Sequence, residues 1–461
     1  MTTKKQEKIK FSKAFWVANT VELFERAAYY GVFIVITLYL SRILGFNDIQ
    51  AASIAGIFSA CLYLLPTFAG ALADKIGFRN SMLLAFTLLT CGYLGLAVYP
   101  TWLQSAGLVE YSTTTTFTGL LESNLQYGII PIMALIVCGG AFIKSVISGT
   151  VAKETTPETR AKGFSIFYAM VNIGAFSGKT IVKPLREALG NEGLITLNYF
   201  SASMTFLALL AIWFFYKSAQ HSGEGKTFGQ IWNALIKVCS NGRLITLIII
   251  ITGFWMVQHQ LYATMPKYVL RLAGEGASPS WYANVKPFSR SSDSQSSNAD
   301  DAEADSAYFH DGRYVHHADI RSLHGIREYA RRKYEYTRHA PCRLHDGGRH
   351  RVPRLGRDIH IASLPRVFLF ASSKGEEGLY LGFSHLHSFL SSIFGFGLSG
   401  FLLSKYCPEP TLFASHEEWL TASANAHYIW YYFGAIALVS AFALIIYGKV
   451  VERLDAKQVR G

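Results

Sequence analysis

Apolar residues gather into nine runs long enough to cross a bilayer, a task that takes about 20 helical residues. The runs start near Phe15, Ala51, Ser81, Ile129, Phe164, Leu197, Leu244, Leu379 and His427. None is uniformly apolar. Glycine, serine and tyrosine recur inside them, as they do where helices pack closely around a cavity. The pattern predicts an all-α, polytopic fold: a bundle of six spans over residues 1–216, a linker over 217–243, a seventh span and loop over 244–288, and two closing spans with a tail over 374–461. Residues 289–373 break the pattern. From Ser289 to about Ile361 no apolar run reaches six residues, so the C-terminal bundle is expected to be incomplete.

Composition agrees with a membrane protein. The 461 residues are 51% hydrophobic and 16% charged. A net charge of +12 raises the question of nucleic acid, but the excess sits in short basic loops and in the anomalous segment, so no nucleic-acid partner is expected. The six cysteines show no paired spacing, which gives neither a disulfide framework nor a metal site. Met1 to Lys13 is polar and lysine-rich, and the apolar run behind it is too long for a signal segment, so it reads as a retained first span. Basic residues cluster at Lys4–Lys13, Lys75 and Arg79, Lys153–Lys162 and Lys217–Arg243. The positive-inside rule therefore places the N-terminus and these loops in the cytoplasm.

The most informative departure from apolarity lies in the first run. Glu22, Glu25 and Arg26 occupy positions where each charge costs about 2.5–3.5 kcal/mol at mid-membrane. Glu22 and Arg26 are four residues apart and Glu22 and Glu25 three, so all share one helix face, which leads on to Tyr29 and Tyr30. A buried structural ion pair is the plainer reading. A proton and substrate site is the sharper one, because a carboxylate held near an arginine in a low dielectric can be switched between charged and neutral. Lys144, inside the fourth run, needs a partner or a functional reason of the same kind. Snorkelling to the cytoplasmic edge is its alternative.

Read together, Glu-x-x-Glu-Arg-x-x-Tyr-Tyr-Gly at Glu22–Gly31 resembles the first-helix signature of the proton-dependent oligopeptide transporters, a branch of the major facilitator superfamily. Two further stretches carry the resemblance. Gly70 to Arg79, with Asp74 and Gly77 between them, resembles the loop that joins spans two and three across the superfamily. Phe167 to Gly174, containing Asn172, resembles a second signature of the peptide transporters. The resemblance covers roughly Lys10–Tyr282 and Lys374–Asp455. It implies a proton-coupled symporter of di- and tripeptides in a plasma or bacterial inner membrane. Glu22, Glu25, Arg26 and Lys144 would handle protons, with Glu22 and Glu25 the nearest partners for Lys144. Arg26 would also meet the peptide carboxylate, and Tyr29, Tyr30, Tyr63, Asn172 and His259 would line the substrate site. An interhelical hydrogen bond remains the alternative for Asn172, and an ordinary core position for Tyr63. The partners implied are protons, small peptides and the lipid bilayer, with no cofactor and no metal. Two positions depart from the family pattern: Phe33 stands where some relatives place an arginine, and no acid accompanies His259. No nucleophile or phosphate-binding loop points to an enzyme. A transporter of another small solute, or a non-transporting membrane protein that tethers the basic segment, stay open.

The segment at about 287–373 matches nothing in that family. Its abrupt edges and its Arg/His-rich content, as in Arg349-His350-Arg351, favour a frame-disrupted stretch. A soluble insertion, or one that works while disordered, are the alternatives. Nine spans is an odd number, so an N-terminus inside predicts a C-terminus outside, against the pull of Lys449, Arg453, Lys457 and Arg460. Either one set of signals loses or the arginine-rich segment is dragged across the membrane, at a cost of about 2.5 kcal/mol or more per arginine, and the expectation is a frustrated C-terminal half.

Overall fold

A computed structural model describes residues 11–109, 124–217, 227–284, 383 and 385–458. Among them there is no strand. The segment at 287–373, and with it the readings of its frame and order, lies outside the described residues.

The described part of each of the nine apolar runs is helical. The first is broken into α1 (Lys13–Phe33) and α2 (Ile36–Arg42), and the second into α3 (Asp48–Leu64) and α4 (Pro66–Ile76). Both pairs bend by 47°. Pro66 explains the second bend, because it occupies the first turn of α4 and cannot donate a backbone bond to α3. Then follow α5 (Phe78–Ser105), α6 (Ile129–Lys153), α7 (Arg160–Leu189) and α8 (Glu192–Phe215). α7 is less apolar than its neighbours, since Lys162, Lys179, Lys183, Arg186 and Glu187 lie on it. After α8 come the amphipathic α9 (Phe228–Ser240), α10 (Gly242–Ala263), α11 (Met265–Ala273) and the short α12 (Pro279–Tyr282). The closing helices are α13 (Leu386–Tyr406), α14 (His416–Ala422) and α15 (Tyr428–Gln458). Side-chain caps mark several starts: Asn47 and Thr227 each form a reciprocal capping box with the glutamine three residues on.

Six single helices and the two bent pairs are long and apolar enough to span a bilayer. The protein is a multi-pass membrane protein whose first eight helices pack into one bundle, with α10, α13 and α15 forming a second group. The two groups meet mainly along α3 and α13. That contact is close because Gly56 and Gly400 are there: a Cβ at Gly56 would lie 2.9 Å from Phe396 Cβ, and one at Gly400 2.8 Å from Asp48 O. Ser59 and Ser392 face each other in the same seam, their hydroxyls 3.0 Å apart.

One end of the molecule is basic and ties many helix termini together. Ser12 donates to Glu154 at 2.6 Å, Lys153 lies 3.8 Å over the Phe78 ring, and Tyr447 of α15 donates to Arg243 O at 3.1 Å. The start of α1 and the end of α15 therefore share a face. This corrects the expectation of a C-terminus opposite the N-terminus. Counting apolar runs treated the anomalous segment as staying on one side. Its described flanks lie at opposite ends instead: Asn284 donates to Thr180 near the far end of α7, whereas Phe383 packs with Ile231, Ala234 and Val238 of α9 at the basic end.

Helix α1 is held by α7 through a second small-residue seam, Gly174-x-x-x-Gly178. A Cβ at Gly178 would lie 2.2 Å from Ala27 O and 2.9 Å from Gly31 N. Gly178→Val should push the helices apart and lower stability by roughly 1–3 kcal/mol. Gly229→Ala, with nothing within 4 Å of the added carbon, should hold or raise stability. Thermal unfolding of the detergent-solubilised chain compares the two.

Candidate functional site

The charged face of α1 turns inward. Arg26 Nε lies 3.1 Å from Glu22 Oε1 and in direct contact with Glu25 Oε2, and both carboxylates are buried. One guanidinium thus holds two acids. Its position depends on the α7 seam, since a Cβ at Gly174 would sit 2.8 Å from Arg26 Cβ. The Arg26 head also lies over the Tyr29 ring, 5.4 Å from its centroid, and Tyr29 meets Tyr30 edge to face at 5.2 Å.

Lys144 approaches from α6. It does not pair with Glu22 or Glu25. Its ammonium donates to Leu62 O at 3.3 Å and sits 3.9 Å above the Tyr63 ring. A cation–π contact of this kind is worth about 0.5–2 kcal/mol and leaves the side chain facing open space. That space is a cavity of about 140 Å³ lined by Glu25, Arg26, Tyr29, Tyr30, Tyr63 and Lys144, with Leu62, Leu89, Tyr93, Ile136 and Gly140 closing the wall. It has room for several waters, yet is smaller than the ~300–1,000 Å³ of typical ligand pockets. The four charged groups sum to zero when all are ionised. Adding one proton to either carboxylate leaves a surplus positive charge beside four phenol rings.

Two of the remaining sequence candidates stand back from the cavity. Asn172 is half-buried on α7 and does not line it. His259, buried on α10, lies behind Tyr63 with ring centroids 6.1 Å apart. Phe33 joins an aromatic wall between the two groups, stacking on Tyr29 at 5.0 Å and meeting Tyr262 at 5.0 Å. In the Gly70–Arg79 loop, Gly77 closes α4 at φ +83°, where a side chain is strained. Gly70 lets Ser145 of α6 approach to 3.1 Å of its Cβ position. Arg79 donates to the last carbonyls of α8, Trp213 O and Tyr216 O, each at 3.2 Å. Asp74 is exposed and makes no ion pair among the described residues, so the charged side chain of this loop that caps a helix end is Arg79.

Sequence reasoning missed a second charged cluster, at the end opposite the basic one. Asp48, the first residue of α3, takes a bond from Lys267 at 2.7 Å and two from Arg271, at 2.8 and 2.9 Å. Arg271 also donates to Glu409 and to Cys407 O, and Lys267 to Ser41. Beside them Glu275 holds Arg42 at 2.6 Å and Arg186 at 2.7 Å. These contacts join α2, α3 and α7 of the first group to α11 and the loop after α13. The available signal was the i,i+4 pair Lys267 and Arg271 behind Pro266, two cations on one face of an otherwise apolar turn.

Glu275 lies in the loop beyond α11. Burial pushes its carboxyl up, but the hydrogen bonds from Arg42 and the charges of Arg42 and Arg186 outweigh this and hold it below its ordinary value of 4.5. The contact therefore stabilises fully above about pH 4.5 and is lost as pH falls through the lowered value. Glu275→Gln should unfold earlier than the unmodified chain at pH 7, and the difference should narrow as pH falls below about 4.5 and through the lowered value. Thermal unfolding across pH 3–7 reads this directly.

A family model described as the Major Facilitator Superfamily matches residues 19–284. Dipeptide and tripeptide permease B of Yersinia enterocolitica is 25% identical over 265 residues, which are 56% of this chain and 48% of the permease. Dipeptide and tripeptide permease A of Yersinia pestis is 26% identical over 259 residues, 54% of this chain and 45% of that protein. The chain spans about half the length of these curated relatives. A structure solved to explain substrate recognition in proton-dependent oligopeptide transporters superposes with a TM-score of 0.60 at 16% identity, covering 95% of this chain and 98% of that one. At that identity the likeness is one of fold.

Proposed function

Because the chain belongs to the Major Facilitator Superfamily, we propose that it is a proton-coupled symporter of di- and tripeptides, with the cluster on α1 as its centre. The observation that carries this reading is one guanidinium shared by two buried carboxylates beside a cavity with room for several waters, with Lys144 opposite. Protonating a carboxylate frees part of Arg26. The freed charge then attracts the carboxylate of a peptide, so proton and cargo favour each other's binding. Tyr29, Tyr30 and Tyr63 offer hydroxyls and ring faces to the peptide backbone. Asn172 is the further candidate contact once the halves move.

The cavity is too small for a peptide as it stands, so binding requires the two helix groups to separate at one end. The ion pairs around Asp48 and Glu275 bind the groups together at their own end, which leaves the basic end as the one to open. We place the basic end in the cytoplasm, since Lys75, Lys153, Lys237 and Arg243 gather there. Proteoliposomes with an inward proton gradient should accumulate labelled dialanine, saturably and with loss on adding an uncoupler. Absence of such accumulation rejects the reading. Transport that unlabelled peptides fail to compete points to another small solute on the same scaffold.

A further inference from the structure

Two arginines at the end opposite the basic one are arranged as a receptor for a carboxylate. Arg42 grips Glu275 as a fork, Nη1 donating to Oε2 at 2.9 Å and Nη2 to Oε1 at 2.6 Å. Arg186 adds a third bond, from Nη2 to the same Oε2 at 2.7 Å. Paired bonds of this kind fix a carboxylate in orientation as well as in place. Arg186 Nε is buried without an acceptor among the described residues, so Glu275 leaves part of this donor set unused. Burial separates receptor from occupant: each arginine side chain is 11% exposed, and that of Glu275 is 50% exposed. Both arginines belong to the first helix group, on α2 and α7. Glu275 reaches them from the loop behind α11, which continues from α10 of the second group. Glu409, 3.9 Å from Arg42, also comes from the second group, in the loop after α13.

We propose that Arg42 and Arg186 form a carboxylate-binding site at this mouth, filled by Glu275 while the mouth is closed and by a carboxylate of the solute when it opens. As the groups part, Glu275 and Glu409 leave with the second group, and two neighbouring cations stay behind on the first. Like charges held close together are unfavourable. An arriving carboxylate therefore stabilises the open mouth, and the open mouth in turn binds the carboxylate. Sixteen residues separate Arg42 from Arg26, about 24 Å of helix at about 1.5 Å per residue, whereas an extended dipeptide spans about 7 Å. No dipeptide touches both arginines, so the mouth site is a station ahead of the α1 cluster for solute entering from this end. That the solute is a peptide rests on the transport reading; the carboxylate chemistry of the site does not.

Glu275→Ala removes the occupant and leaves its space, at a half-exposed position where truncation is mild. N-acetylalanine then supplies a free carboxylate, and N-acetylalaninamide the same skeleton without one. In the full chain in detergent, N-acetylalanine should raise the unfolding temperature of Glu275→Ala by binding the vacated site. It should raise that of the unmodified chain far less, because Glu275 competes, and the amide should raise neither. Adding Arg186→Gln to Glu275→Ala should abolish the extra rise. No extra rise, an equal rise with the amide, or a rise that survives loss of Arg186 overturns the site. Dialanine uptake into proteoliposomes reads its part in transport. A plain lock predicts that Glu275→Ala, Arg42→Gln and Arg186→Gln all move KM the same way, since each breaks the same contacts. The carboxylate site predicts opposite directions: loss of either arginine raises KM by roughly tenfold, the equivalent of one charge-assisted bond, and Glu275→Ala does not raise it. KM values that all move together remove the solute from the site. Rescue by N-acetylalanine without any dialanine uptake removes the peptide reading alone.

Discussion

Asp48→Asn should unlock the end of the molecule opposite the basic one. The carboxylate accepts three charge-assisted bonds, one from Lys267 and two from Arg271, and both cations are almost fully buried. Removing its charge leaves Lys267 with Ser41 and Arg271 with Glu409 and a carbonyl. Breaking a buried pair by deleting one partner costs about 3–5 kcal/mol. That cost falls only on the state in which the two groups are joined, so the population shifts toward an open mouth by about 100-fold or more. Cys407 reports the change, because it is fully buried beneath Arg271 and its carbonyl accepts from that guanidinium. In a chain whose other cysteines are serine, a membrane-impermeant thiol reagent should modify Cys407 in the variant and barely touch it in the unmodified protein. A rate changed by less than twofold would remove Asp48 from the gate. Asp48→Glu, which keeps the charge at a longer reach, should fall between the two.

The fold was legible because membrane spans announce themselves by length and apolarity, and the described part of each of the nine runs is helical. The α1 cluster was legible for the complementary reason: ionised residues inside an apolar run have few explanations. Periodicity correctly put Glu22, Glu25 and Arg26 on one face, but it does not assign partners between helices. Lys144 was assigned to the glutamates and instead rests on Tyr63 and Leu62 O, because Arg26 on the same helix reaches both acids first. The mouth cluster was harder to see. Asp48 and Glu409 stand at helix and loop edges, where an acid is no departure from the pattern, and only folding brings residues 219 and 223 positions apart into hydrogen-bonding range. Topology failed for a related reason. A count of apolar runs treats every other segment as remaining on one side, whereas α13 runs antiparallel to α3 and α15 returns to the basic end.

Arg26→Gln tests whether the α1 cluster is machinery or ballast. The substitution leaves Glu22 and Glu25 buried with only Lys144 nearby, and that ammonium is engaged with the Tyr63 ring. Stability should fall by roughly 3–5 kcal/mol, read as an earlier thermal transition in detergent, and peptide uptake should be lost. Both results alone are also what a purely structural ion pair would give. The second variant separates the readings. In Arg26→Gln with Glu25→Gln one buried charge of each sign is gone, so much of the lost stability should return, as expected for residues in direct contact. Uptake should not return, because the cation that meets the cargo and one proton acceptor are both missing. A double variant that regains stability and also concentrates dialanine against a gradient would reduce the cluster to scaffolding and move the coupling site elsewhere. Recovered folding without recovered transport is the outcome that a working site requires, since the charges then matter for what they do when water, proton and peptide reach them.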